Sequence, residues 1–244
     1  MALIQNPSLG GGSSNAFVLP LTQAVTSGDF LLVNLFWKSS LQTLAATPMT
    51  DNTGGGSLTW TQNGSTLTWG NYSLAQYYVQ NCGVGSSAAT SVTAHFTAGG
   101  GDVALWLAEE SGIVTSGSPF DTTALYTRIN QPAVTSFSSG AMANSTQATL
   151  VLYGMAVSNT SANVAFAPSG SWVQLGVHTP ITGDGDDTMM MRQAVIVTGA
   201  YAATGTCTSA SVSTSVVALR PIASPSSGGS GGGGMDGGLN GGFQ

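Results

Sequence analysis

Apolar and polar residues alternate through most of this chain, and nowhere does a 3.6-residue period run between helix caps. Ser91 to Thr97 (SVTAHFT) puts Val92, Ala94 and Phe96 on one face and Thr93, His95 and Thr97 on the other. Such segments are bounded by clusters of Gly, Ser, Asn and Asp, the residues of turns. Phe17-Val18-Leu19 predicts a short first strand. Phe30 to Lys38 (FLLVNLFWK) is apolar on both faces and predicts a central strand. Leu58 to Thr61, Ser73 to Gln80, Asp102 to Glu109, Ala148 to Ser158, Trp172 to Leu175, Met190 to Thr198 and Ser209 to Leu219 continue the series. Ser111 to Ser145 holds Pro119, Pro132 and many polar residues, and predicts a long connection across the outside. Strands without helical crossovers must pair antiparallel. The expectation is an all-β chain: a single antiparallel β-sandwich of jelly-roll type, of about ten strands.

The chain has 244 residues, of which 42% are hydrophobic, enough for a sizeable core. Only 6% are charged, against about 25% in an ordinary domain. Such a surface does not rely on charge repulsion to keep copies apart, and it suits a protein packed against others. Lys38, Arg128, Arg192 and Arg220 are scattered, and the net charge is -6. Nucleic acid is therefore not an expected partner, because phosphate binding needs clustered basic groups. No apolar run is long enough for a membrane helix, so no membrane partner is expected. The opening segment, Met1 to Pro7, has neither the basic n-region nor the apolar h-region of a secretory signal, so cytoplasmic synthesis is expected.

The composition divides the chain into an N-terminal arm (1–16), a sandwich domain (17–221) and a Gly-rich tail (222–244). The tail ends with Met235, Leu239 and Phe243, each four residues from the next. It reads either as a spacer or as an anchor peptide on a Gly tether. Cys82 and Cys207 read as small buried apolar residues, with a disulfide as the alternative.

Three segments resemble a β-sandwich domain of bacteriophage virion proteins and bacterial surface proteins. Gly28-Asp29-Phe30-Leu31-Leu32-Val33 with Trp37 is similar to its GDxLLV…W opening strand. Glu109-Glu110-Ser111-Gly112 with Ser118-Pro119-Phe120-Asp121 is similar to its ExSG…SPxD segment, and Ala218-Leu219-Arg220-Pro221 to its closing ALRP. The resemblance spans about Phe17 to Pro221 and implies the fold. It carries no catalytic residues, and its glutamate at Glu110 belongs to the fold. Glu110 itself reads as tying a loop by hydrogen bonds to backbone N–H groups, with Arg220 as the expected partner.

Candidate sites are few. Asp184, Asp186 and Asp187 could bind Ca²⁺ through carboxylate oxygens, or form a solvated turn. Glu109 and Glu110 are adjacent on a strand, so they point to opposite faces and cannot flank one glycosidic bond. His95 and His178 read as surface histidines. Trp60, Trp69, Tyr72, Tyr77 and Tyr78 are dense for one region and could stack on sugar rings or make core and subunit contacts; Tyr77 and Tyr78 alternate, so only one of them faces the core. Met189-Met190-Met191 reads as an adaptable patch where core meets interface.

Three readings follow, the last of them a glycoside-active enzyme, which lacks its carboxylate pair. The first is a non-enzymatic structural virion protein that decorates or cements a phage capsid, or builds a neck or tail element. Its partners are other virion subunits and copies of itself, a homotrimer by analogy with decoration proteins at symmetry axes, and its anchor is Met235, Leu239 and Phe243. The second is a glycan-binding adhesin or lectin-like module. Neither of these two needs a cofactor. The expected location is a virion, reached by lysis rather than secretion.

Overall fold

Phe30–Trp37 (β4) is buried at every position. That run of eight forms the middle of a sheet because a strand apolar on both faces needs a layer on each side. In the computed structural model, residues 1–222 are described except 13, 54–57, 84–88, 100, 122–125, 159–162 and 179–186. Among them there is no helix, and every strand pairing is antiparallel.

Three sheets are formed. The first has β1 (Ala2–Gln5), β2 (Ser8–Gly11), β4, β6 (Thr61–Gln62), β7 (Leu67–Trp69), β8 (Tyr72–Val79) and β10 (Val103–Ser111). Its order is β1-β10-β4-β8-β6, with β2 also on β10 and β7 also on β8. A small sheet has the order β3-β9-β5, from β3 (Ala16–Pro20), β5 (Leu44–Asp51) and β9 (Ser91–Phe96). The third has the order β11-β16-β12-β15-β14 with β13 on β16. Its strands are β11 (Tyr126–Ser138), β12 (Leu150–Ser158), β13 (Phe166–Pro168), β14 (Val173–His178), β15 (Thr188–Val195) and β16 (Thr204–Leu219).

The period of two sorts β4 between two cores. Leu31, Val33, Leu35 and Trp37 meet Phe17, Leu19, Val92 and Phe96 of the small sheet. Phe30, Leu32 and Phe36 face Tyr153, Met155, Met190 and Val217 of the six-stranded sheet. A third core covers the far side of that sheet with Phe137, Phe166 and Trp172. Each large side chain so buried contributes about 1.5–3 kcal/mol. The seven- and six-stranded sheets face one another as a sandwich, and the small sheet adds a layer outside. In the middle of β4, Asn34 accepts a hydrogen bond from Gln76 Nε2 at 2.9 Å, so its polarity is satisfied.

Several expectations are corrected. The first sixteen residues are more than an arm, since β1 and β2 both pair with β10. The Ser111 to Ser145 connection contains the thirteen-residue β11, which pairs along β16. The three methionines are fully buried, not at an interface. Alternation sends Met190 into the core between the large sheets and Met189 and Met191 into the outer core. Backbone freedom matters most at Gly28, whose φ of 89° forms the tight turn into β4. There Gly28 N donates to Cys82 O, and Cys82 N to Asp29 O.

Candidate functional site

A concave feature lies between two strand edges. β5 ends the small sheet and β6 ends the large one, and a groove of about 610 Å³ separates them. Ala45, Met49, Leu58, Trp60, Gln62 and Tyr77 are among its lining residues, none of them charged. Asp51 positions this wall: its carboxylate accepts from the Thr53 N–H at 2.8 Å and from the Leu58 N–H at 3.0 Å. Trp60 packs partly buried against the core, and its buried indole Nε1 has no hydrogen-bond partner among the described residues. Burial raises the Tyr77 hydroxyl above its ordinary pKa. The register of β5 on β9 jumps from Leu44–Phe96 to Met49–Ala94. Residues 45–48 therefore bow away from β9 and present backbone at the groove. Such a site can seat an apolar or ring-shaped group. It offers no acid–base pair.

Trp60, Trp69 and Tyr72 do not form one platform. Trp69 and Tyr72 flank the β7–β8 turn and stack on Phe36, with ring centroids 6.1 and 5.6 Å away, in the core between the large sheets. Only Trp60 lines the groove. Sequence reasoning placed Tyr77 in the same aromatic cluster as Trp60 but missed Gln62, which meets Tyr77 only through the pairing of β6 with β8.

The acidic residues are engaged in structural contacts. Glu109 and Glu110 do point to opposite faces, and both are buried. Glu109 accepts from Thr26 N at 2.7 Å and from the Gln5 amide. Asp29 lies beside it, its carboxyl pushed up to about 6 by burial first and then by the Glu109 charge. The same surroundings, burial above all, push the Cys82 thiol up to about 12. On the other face Glu110 accepts from Tyr153 Oη at 2.6 Å and pairs with Arg192. This corrects the expected partner: Arg220 reaches the Ser118 carbonyl instead, at 3.5 Å. Burial alone would lower the Arg192 pKa, but the bond and charge of Glu110 hold it above its ordinary value.

The histidines are less superficial than expected. His95 shares a 2.7 Å hydrogen bond with Thr50 Oγ1. His178 ends β14 over Gly10, and burial lowers its pKa against the pull of Asp187. Asp187 is buried and accepts from the Val164 N–H. Asp184, Asp186, Met235, Leu239 and Phe243 lie outside the described residues. Among those described, no three His, Cys, Asp or Glu side chains are grouped to hold a metal ion. Cys82 and Cys207 are free thiols in separate cores. Comparison with known proteins finds no family model, no curated sequence and no solved structure that matches this chain.

Proposed function

We propose that this chain is a non-enzymatic structural protein of a virion. In this reading it is a jelly-roll-type sandwich that decorates or cements a phage capsid, or builds a neck or tail element. It works through contacts with other subunits and with copies of itself. The observation that carries the proposal is the edge strand β14. Its sequence, VQLGVH, has none of the Lys, Glu or Pro residues that protect free edges. Val173 is 62% and Val177 38% exposed. Ile196 and Val197, which leave the neighbouring β15, are 79% and 64% exposed. Asn6 Nδ2 already donates to Leu175 O at 3.0 Å, so this edge docks through aliphatic side chains rather than through a continuous ladder. The low charge of the whole chain supports the same reading, since few charges oppose association. The test replaces Val173 and Val177 with Lys in the full chain. Association measured by light scattering should fall, with an unchanged melting temperature. Unchanged association would count against this edge as the contact.

A second reading, a glycan-binding module, is favoured by the Trp60 groove alone. Binding on a glycan array that disappears in Trp60→Ala would carry it.

A further inference from the structure

We infer that the groove between β5 and β6 receives the C-terminal segment 235–244 of a second copy of this chain. The inference rests on the structural reading above and names a contact for it. The first argument is chemical fit. The groove is uncharged and mainly apolar, with Thr47, Thr50 and Gln62 on its walls, and the segment MDGGLNGGFQ carries a single charged side chain, Asp236. In an extended chain, residues two apart share a face. Met235, Gly237, Leu239, Gly241 and Phe243 would then share one side, large residues alternating with none. The glycines permit the close backbone approach that adding a strand to an edge requires.

The second argument is the hydrogen-bonding capacity left open at the groove. Residues 45–48 bow away from β9, so Ala45, Ala46 and Thr47 turn backbone N–H and C=O groups away from their own sheet, whereas Pro48 offers a C=O only and limits pairing to the first three. Ala46 and Thr47 are exposed there. Across the groove the Trp60 ring offers an aromatic face to an apolar side chain; its indole N–H is buried beneath the surface and is not part of the open capacity.

The third argument is reach and placement. Ile222 is exposed, and its N–H donates to Gly112 O, just beyond the end of β10. The exit therefore lies toward the β1 edge of the seven-stranded sheet, and the groove lies at its β6 edge. Residues 223–234 can span about 40 Å at roughly 3.3 Å each. A folded unit of this size has a radius of gyration of about 17 Å. The segment can therefore cross to a neighbour.

The test uses the full chain with Ala46→Cys and Asn240→Cys, which keeps all three apolar tail residues. Cys82 and Cys207 stay buried and do not compete. Copies labelled with light and heavy nitrogen are mixed in urea, refolded together so that neighbours are randomised, then oxidised, digested and analysed by mass spectrometry. The expected product is a disulfide between the two introduced thiols, joining a light peptide to a heavy one. Linkage confined to one isotope would place the tail in its own groove and overturn the inference, and so would no linkage. A second measurement needs no new cysteines: Leu239→Ser with Phe243→Ser should speed amide exchange across Leu44–Asp51, and unchanged exchange there would also overturn it. If both fail while the protein still assembles, the inference falls and the structural reading stands.

Discussion

Glu110 on β10 and Arg192 on β15 form an ion pair that ties the seven-stranded sheet to the six-stranded one. The pair lies between the layers, with Tyr153 donating to the same carboxylate oxygen. Removing one partner leaves the other charge poorly solvated. Glu110→Gln should therefore cost about 3 kcal/mol in urea unfolding. Replacing both residues with Leu and Met should recover much of that loss, because the pair's own net contribution is small. A double variant as unstable as the single one would show that the pair contributes more than this account allows.

The Asp29–Glu109 contact predicts a pH dependence. The Asp29 carboxyl is raised from 3.8 to about 6, so its protonated form favours the fold. Its contribution is full below the unfolded value and is lost as pH rises through the folded one. Across that shift the full loss is about 3 kcal/mol at about 1.36 kcal/mol per pH unit. Screening by the solvent that still reaches this carboxyl lowers the expected loss to about 1–2 kcal/mol. Asp29→Asn removes this dependence and keeps a hydrogen-bond donor for Glu109. Relative to the wild type, the variant should gain stability across that window when both are unfolded with urea at stepped pH. A constant difference across the window would contradict the assignment.

Gly176 on β14 lies against the ring of Trp106. A Cβ there would stand 2.9 Å from Cζ3, while the indole is held by its 2.9 Å bond to Thr188 Oγ1. The ring cannot step aside without breaking that bond. Gly176→Ala should cost about 1–3 kcal/mol, the range for overpacking. An unchanged melting temperature would mean that the strand shifts instead.

Burial, with the nearby Glu109 and Asp29 charges, holds the Cys82 thiol protonated. Only the thiolate reacts readily. At pH 8 the native chain should resist alkylation at Cys82, and both cysteines should react in urea. Fast native labelling at Cys82 would contradict the packing described around it.

The strands that were legible in the sequence are those whose burial is local in origin. β4, β9 and β12 are long enough for alternation or a two-faced apolar run to appear in the residues themselves. β1 and β2 have four residues each, and they form strands because β10 lies beside them. β11 was hidden by Pro132 and its many Thr, Ser and Asn residues, which pattern alone reads as loop. The opposite faces of Glu109 and Glu110 followed from the strand period. The partner of Glu110 did not, although a lone Arg192 inside the apolar run of β15 is the signature of a buried carboxylate elsewhere. Trp60, Trp69 and Tyr72 are close in sequence, but the β7–β8 turn carries two of them to the face opposite the groove.

The most direct test of the central claim is the native mass of the full chain as salt is raised. Apolar and amide contacts are screened little by salt, whereas ion pairs are screened strongly, the Debye length falling to about 3 Å at 1 M. Light scattering should show an assembly larger than the 24.5 kDa chain, unchanged at about 1 M NaCl. A single-chain mass at every concentration, or an assembly that dissociates on adding salt alone, would contradict the account.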